Sequence, residues 1–369
     1  MDFSPTEAQT DLAALTREIL ADRVTPERLR ELDAAPQRFD RELWSALAGA
    51  GVLAAALPAA AGGDDLGVLE QCSVAVELGR AVAPVPYLAS IVMGAAAVAR
   101  FGDDAQRARW AAPAGAGRLV LTAALDGAPH GAQPAAATRG PDGRWTLTGT
   151  VATVPAGPVA DAVLVPAATD EGATVFVVET GDAGVAVATQ SMVDGDDAGW
   201  IELTGVELDA DRVLGGVGAA AAVTAWLTAR ATVALCAAQL GVTERALELT
   251  ASYARTRVQF DRPIGAFQAV AQRLADAYVD VQAIRLTLWQ AAWQLDAGRP
   301  ADAAVATAKF WAADGGHRVA HAAVHVHGGV GLDLDHHVHR YFTAAKRNEF
   351  TLGGATAQLR TLGDLLARA

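Results

Sequence analysis

Three arginines crowd one short stretch, Tyr253-Ala-Arg255-Thr-Arg257-Val-Gln259-Phe260-Asp261-Arg262-Pro263-Ile-Gly265-Ala-Phe267-Gln268. Guanidinium forks match phosphate oxygens, and the start of a helix just downstream adds partial positive charge, so the stretch is a candidate phosphate site. Phe260, Phe267 and Gln268 are spaced to hold a planar group. A solvated turn between helices would carry the same Pro and Gly punctuation, and spacing alone leaves both readings open. A second cluster is His325-Val-His327-Gly328-Gly329-Val-Gly331, whose glycines let a backbone or ligand approach closely. It follows a helical pattern rather than a strand and lacks G-x-G-x-x-G spacing, so it is no dinucleotide fingerprint. Seven of the eight histidines lie between His317 and His339. With Asp333 and Asp335 nearby, zinc or iron ligation is worth weighing. No H-E-x-x-H or facial-triad spacing occurs, so the expectation is no metal, with the histidines on a polar helix face and at caps. G-x-S-x-G and G-x-x-x-x-G-K-[ST] are also missing, which leaves hydrolase and nucleotide-triphosphatase readings without an anchor.

These clusters need elements to position them. Residues 1–117 read as helical. Ser4-Pro5-Thr6-Glu7 precedes Leu12, Leu15, Ile19 and Leu20 at helical spacing, and 42–53 and 68–82 continue the pattern. Over 118–214 the texture changes to short β-rich runs: Trp145–Gly149, Ala162–Val165, Thr174–Val178, Gly184–Ala188 and Trp200–Leu203. Without crossover helices between them, these predict a small antiparallel barrel or sandwich. Long helical patterns return over 215–369, at about 217–256, 265–297, 301–328 and 335–367. The chain therefore reads as mainly α with a central β domain and a C-terminal helical bundle.

Composition narrows the function classes. The chain has 369 residues, 52% hydrophobic and 19% charged, which rules out general disorder. A net charge of −13 argues against binding nucleic acid or anionic lipid, though not against a local basic pocket. Lys309 and Lys346 are the only lysines and Asn348 the only asparagine, a bias that carries no mechanism by itself. Cys72 and Cys236 are too few for a disulfide framework, so a reduced, cytoplasmic setting is expected. Met1-Asp2-Phe3-Ser4-Pro5 does not resemble a secretory signal. The uncharged run 45–63 is Ala- and Gly-rich and broken by Pro58, so no membrane span is expected.

Taken in order, these pieces resemble the acyl-CoA dehydrogenase family over essentially the full length. The marks are Arg257-Val-Gln-Phe260 with Pro263-Ile-Gly-Ala-Phe267-Gln268 and Leu274-Ala-Asp276, then His327-Gly328-Gly329-Val-Gly331-Leu with His339-Arg340-Tyr341. Leu78-Gly79-Arg80 through Pro84-Val-Pro86-Tyr87 is similar to bacterial members. The resemblance implies an N-terminal helical domain, a central β domain, a four-helix bundle, and FAD bound across a subunit interface. Arg257, Gln259, Phe260, Phe267 and Gln268 match the segment that reaches the adenosine diphosphate part of a neighbouring subunit's flavin. His325, Gly328 and Gly329 match the second segment over which that flavin passes. Asp261 stands where glycine is usual, and His325 where glutamine is usual.

In this family a carboxylate removes the α proton of a CoA thioester while the β hydrogen leaves as hydride to the flavin. The usual glutamate falls at Leu352 or Gly353 of Phe350-Thr-Leu-Gly-Gly-Ala-Thr356, and the alternative position, as in isovaleryl-CoA dehydrogenase, at Ala251. None can accept a proton, so no catalytic residue is expected in this chain. Glu248 and Glu349 lie near those positions and are the alternative bases of a homomeric enzyme. Leu121-Thr-Ala-Ala-Leu-Asp126-Gly127 and Thr150–Val154 also depart from the strands that usually contact the flavin ring. Together these departures resemble the base-lacking subunit of two-subunit bacterial acyl-CoA dehydrogenases, several of which act on steroid-derived CoA esters. The implied partners are a related glutamate-bearing subunit, an acyl-CoA substrate and electron-transferring flavoprotein. The alternatives are a flavin-free structural partner and a flavin monooxygenase on the same fold.

Overall fold

The first helix begins where its capping chemistry dictates. Thr6 Oγ1 accepts the Gln9 N–H at 3.1 Å, and Gln9 Oε1 accepts the Thr6 N–H at 2.8 Å, a reciprocal capping box. The computed structural model describes residues 3–368 apart from 127 and 129, so Met1, Asp2 and Gly127, named in the motifs above, lie outside the described residues. Helices α1 (Glu7–Arg23), α2 (Pro26–Asp33), α3 (Arg41–Gly49) and α4 (Val68–Ala81) come first. The short α5 (Ala96–Phe101), α6 (Asp104–Gln106) and α7 (Ala112–Gly115) follow, joined to wider π-type turns at Leu88–Ala95 and Arg107–Ala111.

Eight strands come next: β1 (Leu121–Ala123), β2 (Ala136–Arg139), β3 (Trp145–Pro155), β4 (Ala162–Ala167), β5 (Thr174–Glu179), β6 (Val185–Ser191), β7 (Asp197–Leu208) and β8 (Val213–Leu214). They form two four-stranded sheets, ordered β1-β4-β5-β8 and β2-β3-β7-β6. Trp145 of β3 and Phe176 of β5, each fully buried, meet edge to face at 5.3 Å and join the sheets into a sandwich. One pairing departs from the antiparallel expectation: β1 runs parallel to β4, Leu121 opposite Ala162. The chain spends β2 and β3 in the other sheet before returning, and that detour supplies the long crossover a parallel pair needs.

The C-terminal elements are α8 (Ala220–Thr256), a hairpin of β9 (Val258–Gln259) and β10 (Arg262–Pro263), α9 (Gln268–Asp296), α10 (Asp302–His327), α11 (Val338–Phe350) and α12 (Ala355–Arg368). The single helix expected over 335–367 is thus two. The break falls at Thr351–Gly354, where Leu352 (φ +58°) and Gly353 (φ +91°) turn left-handed. Gln358 Nε2 donates to both freed carbonyls, at 3.1 and 3.3 Å. α8 is long and apolar enough to cross a membrane by length and composition, but 56% of its most apolar window is buried in the protein, as in a core helix. The run 45–63 ends α3 and continues as tight turns.

Packing groups the chain into two compact units built from separated stretches. The first comprises Met1–Pro26, Val68–Ala83 and Thr232–Ala369; the second comprises Glu27–Gly67 and Pro84–Ala231. In the first unit, Cys72, Val233, Cys236, Leu240, Ile284 and Leu288 form one buried cluster. α4 and α8 cross there at glycine. A methyl at Gly79 would lie 2.1 Å from the Ala238 carbonyl oxygen, and one at Gly241 2.0 Å from that of Val76. This crossing brings Arg80 of α4 beside the carboxylates of α8.

Candidate active site and flavin-binding surface

The arginine stretch folds as the β9–β10 hairpin, Arg262 opposite Gln259, and the Ile264 N–H donates to Arg257 O at 2.8 Å to close its base. Phe260 (φ +51°) and Asp261 (φ +60°) form the tip. Two left-handed residues in a row define the turn for which Asn-Gly is the favoured sequence, so the tip has the geometry glycine relieves. A bulky residue held there costs about 1–2 kcal/mol. Phe260 is nevertheless held at the tip of this hairpin, 86% exposed.

Arg262 places its guanidinium carbon over the Phe267 ring, 4.1 Å from its centre, and Phe267 meets Phe260 edge-on at 6.1 Å. Arg255, Arg257, Arg262 and Arg273 form no ion pair among the described residues. In a chain of net charge −13, unneutralised guanidiniums beside exposed aromatics fit an anionic ligand with a planar part. A cavity of about 360 Å³ opens here, lined by Gln259, Phe260, Phe267, Arg273 and His325. Four of the eight expected binding residues, Gln259, Phe260, Phe267 and His325, therefore meet although His325 is far from the other three in sequence. Arg257 stands at the hairpin base, Gln268 is exposed at the first turn of α9, and neither lines the cavity.

Gly328 and Gly329 follow the end of α10 and are exposed, and a Cβ on either would meet nothing within 4 Å. Their backbone is open to a ligand from that side, and Gly328 (φ +65°, ψ −143°) adopts a conformation reserved for glycine. They do not line the cavity with His325. Arg273 was not anticipated; its signal is its place one helical turn after Ala269, which lines the same cavity.

The two candidate bases are both engaged. Glu248 accepts Arg80 Nη2 at 2.8 and 3.0 Å and Arg245 Nη1 at 3.0 Å. Partial burial works to raise its carboxyl, but the two arginines outweigh it and hold the group below the usual carboxylate range. Such a carboxylate is a weak base. Glu349 lies 2.5 Å from Lys346 Nζ and 3.1 Å from His317 Nδ1, with its side chain 14% exposed. His317 in turn lines a groove of about 790 Å³ between α9 and α10. Ala251, Leu352 and Gly353 offer no titratable group.

The strands that depart from the usual flavin contacts are also distinctive. Leu121, Thr122 and Ala123 of β1 are fully buried. β3 bulges between Val151 and Val154, where Thr153 (φ +55°) donates its N–H to Gln190 Oε1 at 2.9 Å. Among the described residues no three His, Cys, Asp or Glu side chains converge as a metal site requires. Elemental analysis of chelator-treated protein is expected to find no stoichiometric zinc or iron; one tightly held metal per chain would overturn this.

Comparison with known proteins agrees with this architecture. The acyl-CoA dehydrogenase N-terminal domain model matches residues 6–118, and the C-terminal domain model matches 216–366. The chain is 54% identical to acyl-CoA dehydrogenase FadE27 of Mycobacterium tuberculosis, covering 100% of this chain and 99% of that one. It superposes on a chain of the crystal structure of the ChsE4-ChsE5 complex from the same organism with a TM-score of 0.96, at 55% identity and full coverage of both chains. A variant of the Tcur3481-Tcur3483 steroid ACAD matches with a TM-score of 0.90 at 40% identity over 98% of each chain. FAD is the cofactor of this kind of fold, and the hairpin, its free arginines and the open glycine pair fit it. The chain belongs to the acyl-CoA dehydrogenase family.

Proposed function

We propose that this chain is the base-lacking subunit of a heteromeric, cytoplasmic acyl-CoA dehydrogenase that forms the Cα=Cβ bond of a bulky, steroid-derived CoA thioester. The observation that carries the proposal is the emptiness of both base positions, Ala251 and Leu352–Gly353, together with the arginine and lysine pairing of Glu248 and Glu349. FAD, when bound, supplies the hydride acceptor. This chain's part is to hold it. Arg257 and Arg262 neutralise phosphate charge, Phe260 and Phe267 flank the cavity, and Gly328–Gly329 offer backbone without a Cβ.

The α proton then needs a carboxylate from outside the chain, which a glutamate-bearing paralogue would supply. A partner also accounts for the exposed apolar side chains of the bundle: Tyr278, Val279 and Leu286 on α9, Phe350 at the end of α11, and Leu359 and Leu366 on α12. The steroid substrate class and the two-chain assembly rest on the Tcur3481-Tcur3483 and ChsE4-ChsE5 likenesses. Electron-transferring flavoprotein is the proposed acceptor.

The test is co-expression with a glutamate-bearing paralogue. Co-purification at equal stoichiometry with about one flavin per unlike pair supports the proposal; a flavin-free complex would make the chain a structural partner instead. In the assembled protein, Arg257→Ala is expected to lower FAD occupancy with helical content unchanged. A guanidinium–phosphate contact contributes about 1.5–3 kcal/mol, which weakens binding tenfold or more. Full flavin retention at low FAD concentration would count against the site.

A further inference from the structure

The histidines around the end of α10 close a loop on itself. His327, the last residue of α10, is 5% exposed and stacks on Tyr253 of α8 at 4.4 Å. Its Nδ1 lies 2.8 Å from Ala323 O, so this nitrogen is the donor and Nε2 is left to take a proton. At the other end of the loop His336 lies 5.5 Å from His327, and His337 stacks on His336 at 4.8 Å. The Val338 N–H donates to His336 Nδ1, and His339 Nδ1 donates to His336 O at 2.7 Å. Gly331 packs between, its absent Cβ leaving room for Val324 and the His327 Cβ. The ten residues from Gly328 to His337 are thus clasped by imidazoles at both ends, and the open glycine pair lies inside the clasp.

The charged groups facing this cluster are few. α8 presents Arg245, which is paired with Glu248 at 3.0 Å, and the neutral Tyr253; α11 presents His339, and α10 ends with His325. The carboxylates of the loop, Asp333 and Asp335, are exposed, and no carboxylate forms an ion pair with His327, His336 or His337 among the described residues. Burial lowers His327, and His336 adds to this against the bond to Ala323 O. Burial also lowers His337, helped by His336 and Arg245. A group depressed on folding contributes stability above its unfolded value of about 6.5, and this is lost as pH falls through that value toward the folded one.

We propose that Gly328–His337 is an acid-sensitive clasp: protonation of His327 and His337 forces the loop open and loosens the glycine pair's grip on a phosphate-bearing ligand. The part concerning flavin rests on the function proposed above; the clasp itself does not.

Hydrogen exchange on the assembled, FAD-loaded protein tests it, with rates corrected for intrinsic pH dependence. Amides of the loop are expected to lose about tenfold or more of their protection between pH 7.5 and 5.5, while the middle of α8 keeps its own. The size follows from linkage: between a histidine's open and closed pKa values, each pH step of one changes the opening equilibrium up to about tenfold. The double variant His327→Gln/His337→Gln, which keeps polarity but cannot take the charge, is expected to flatten that dependence, and His337→Gln alone to weaken it. Protection independent of pH, or an unchanged dependence in the double variant, overturns the clasp. Flavin fluorescence followed alongside separates the two ideas. A loop that opens while flavin stays bound keeps the clasp and refutes its link to the cofactor.

Discussion

The isolated chain, loaded with FAD and mixed with an acyl-CoA, is expected to reduce its flavin at least about 10²-fold more slowly than its complex with a glutamate-bearing subunit, because general-base assistance is worth about 10²–10⁴-fold. The reason is local. Under the proposed function, the positions matched to the family's two bases hold Ala251 and the Leu352–Gly353 turn, and water is a poor substitute in a closed site. Glu248 cannot easily step in, since protonating it would break its contacts to Arg80 and Arg245. Glu349 would have to leave Lys346 and His317. Glu248→Gln and Glu349→Gln should therefore leave the complex's turnover within a few-fold of the parent, whereas mutating the partner's glutamate should abolish it. Full turnover by the single chain, lost in either Gln variant, would refute the heteromeric reading and identify the base.

How much of this was legible in the sequence depends on how far apart the interacting residues lie. The long helices were readable because apolar spacing and caps are local; Thr6 and Gln9 are three residues apart. The break between α11 and α12 was not, because nothing in a leucine announces a left-handed backbone at Leu352. Strand β2, Ala136–Arg139, carries no β-branched run, and the β1–β4 pairing depends on a register set forty residues away. The candidate binding residues were legible as types. Their assembly was not, since it needs the Phe260–Asp261 tip to fold before Gln259 can share a cavity with His325. The pairing of Glu248 with Arg80 was hidden for the same reason: Arg80 reaches it only because Gly79 and Gly241 let α4 and α8 touch.

Removing one buried ammonium is expected to unsettle the C-terminal bundle more than any of the substitutions above. The chain's cations are almost all arginine, yet both lysines and the only asparagine gather at the end of α11. Lys309, fully buried, donates from Nζ to Asn348 O at 2.9 Å and Glu349 O at 3.1 Å. Asn348 Nδ2 donates to Gln239 Oε1, and Lys346 holds Glu349. A compact ammonium can sit between last-turn carbonyls where a planar guanidinium would need more room, which is a physical reason for lysine against the compositional trend. Lys309→Ala leaves those carbonyls without a donor and opens a cavity, and should cost about 3–5 kcal/mol in urea unfolding. Lys309→Met fills the space and also removes a buried charge, so it should cost less.

The pH dependence distinguishes the charge from the packing. Burial lowers the Lys309 ammonium below the usual lysine value, whereas in the unfolded chain it titrates near about 10.4. Between the two values the unfolded chain binds more protons, so this lysine's contribution to stability rises with pH across that window and is constant below it. Cys72 and Cys236 act in the opposite sense, because burial raises both thiols and the unfolded ones ionise near about 8.5. Because the Lys309 charge itself lowers the Cys236 thiol, both curves are taken in a Cys236→Ala background, and subtracting the Lys309→Met curve from that parent curve removes the remaining Cys72 slope. The difference should climb with pH toward about 10.4; a flat difference would mean that Lys309 is no harder to charge inside the fold than in water.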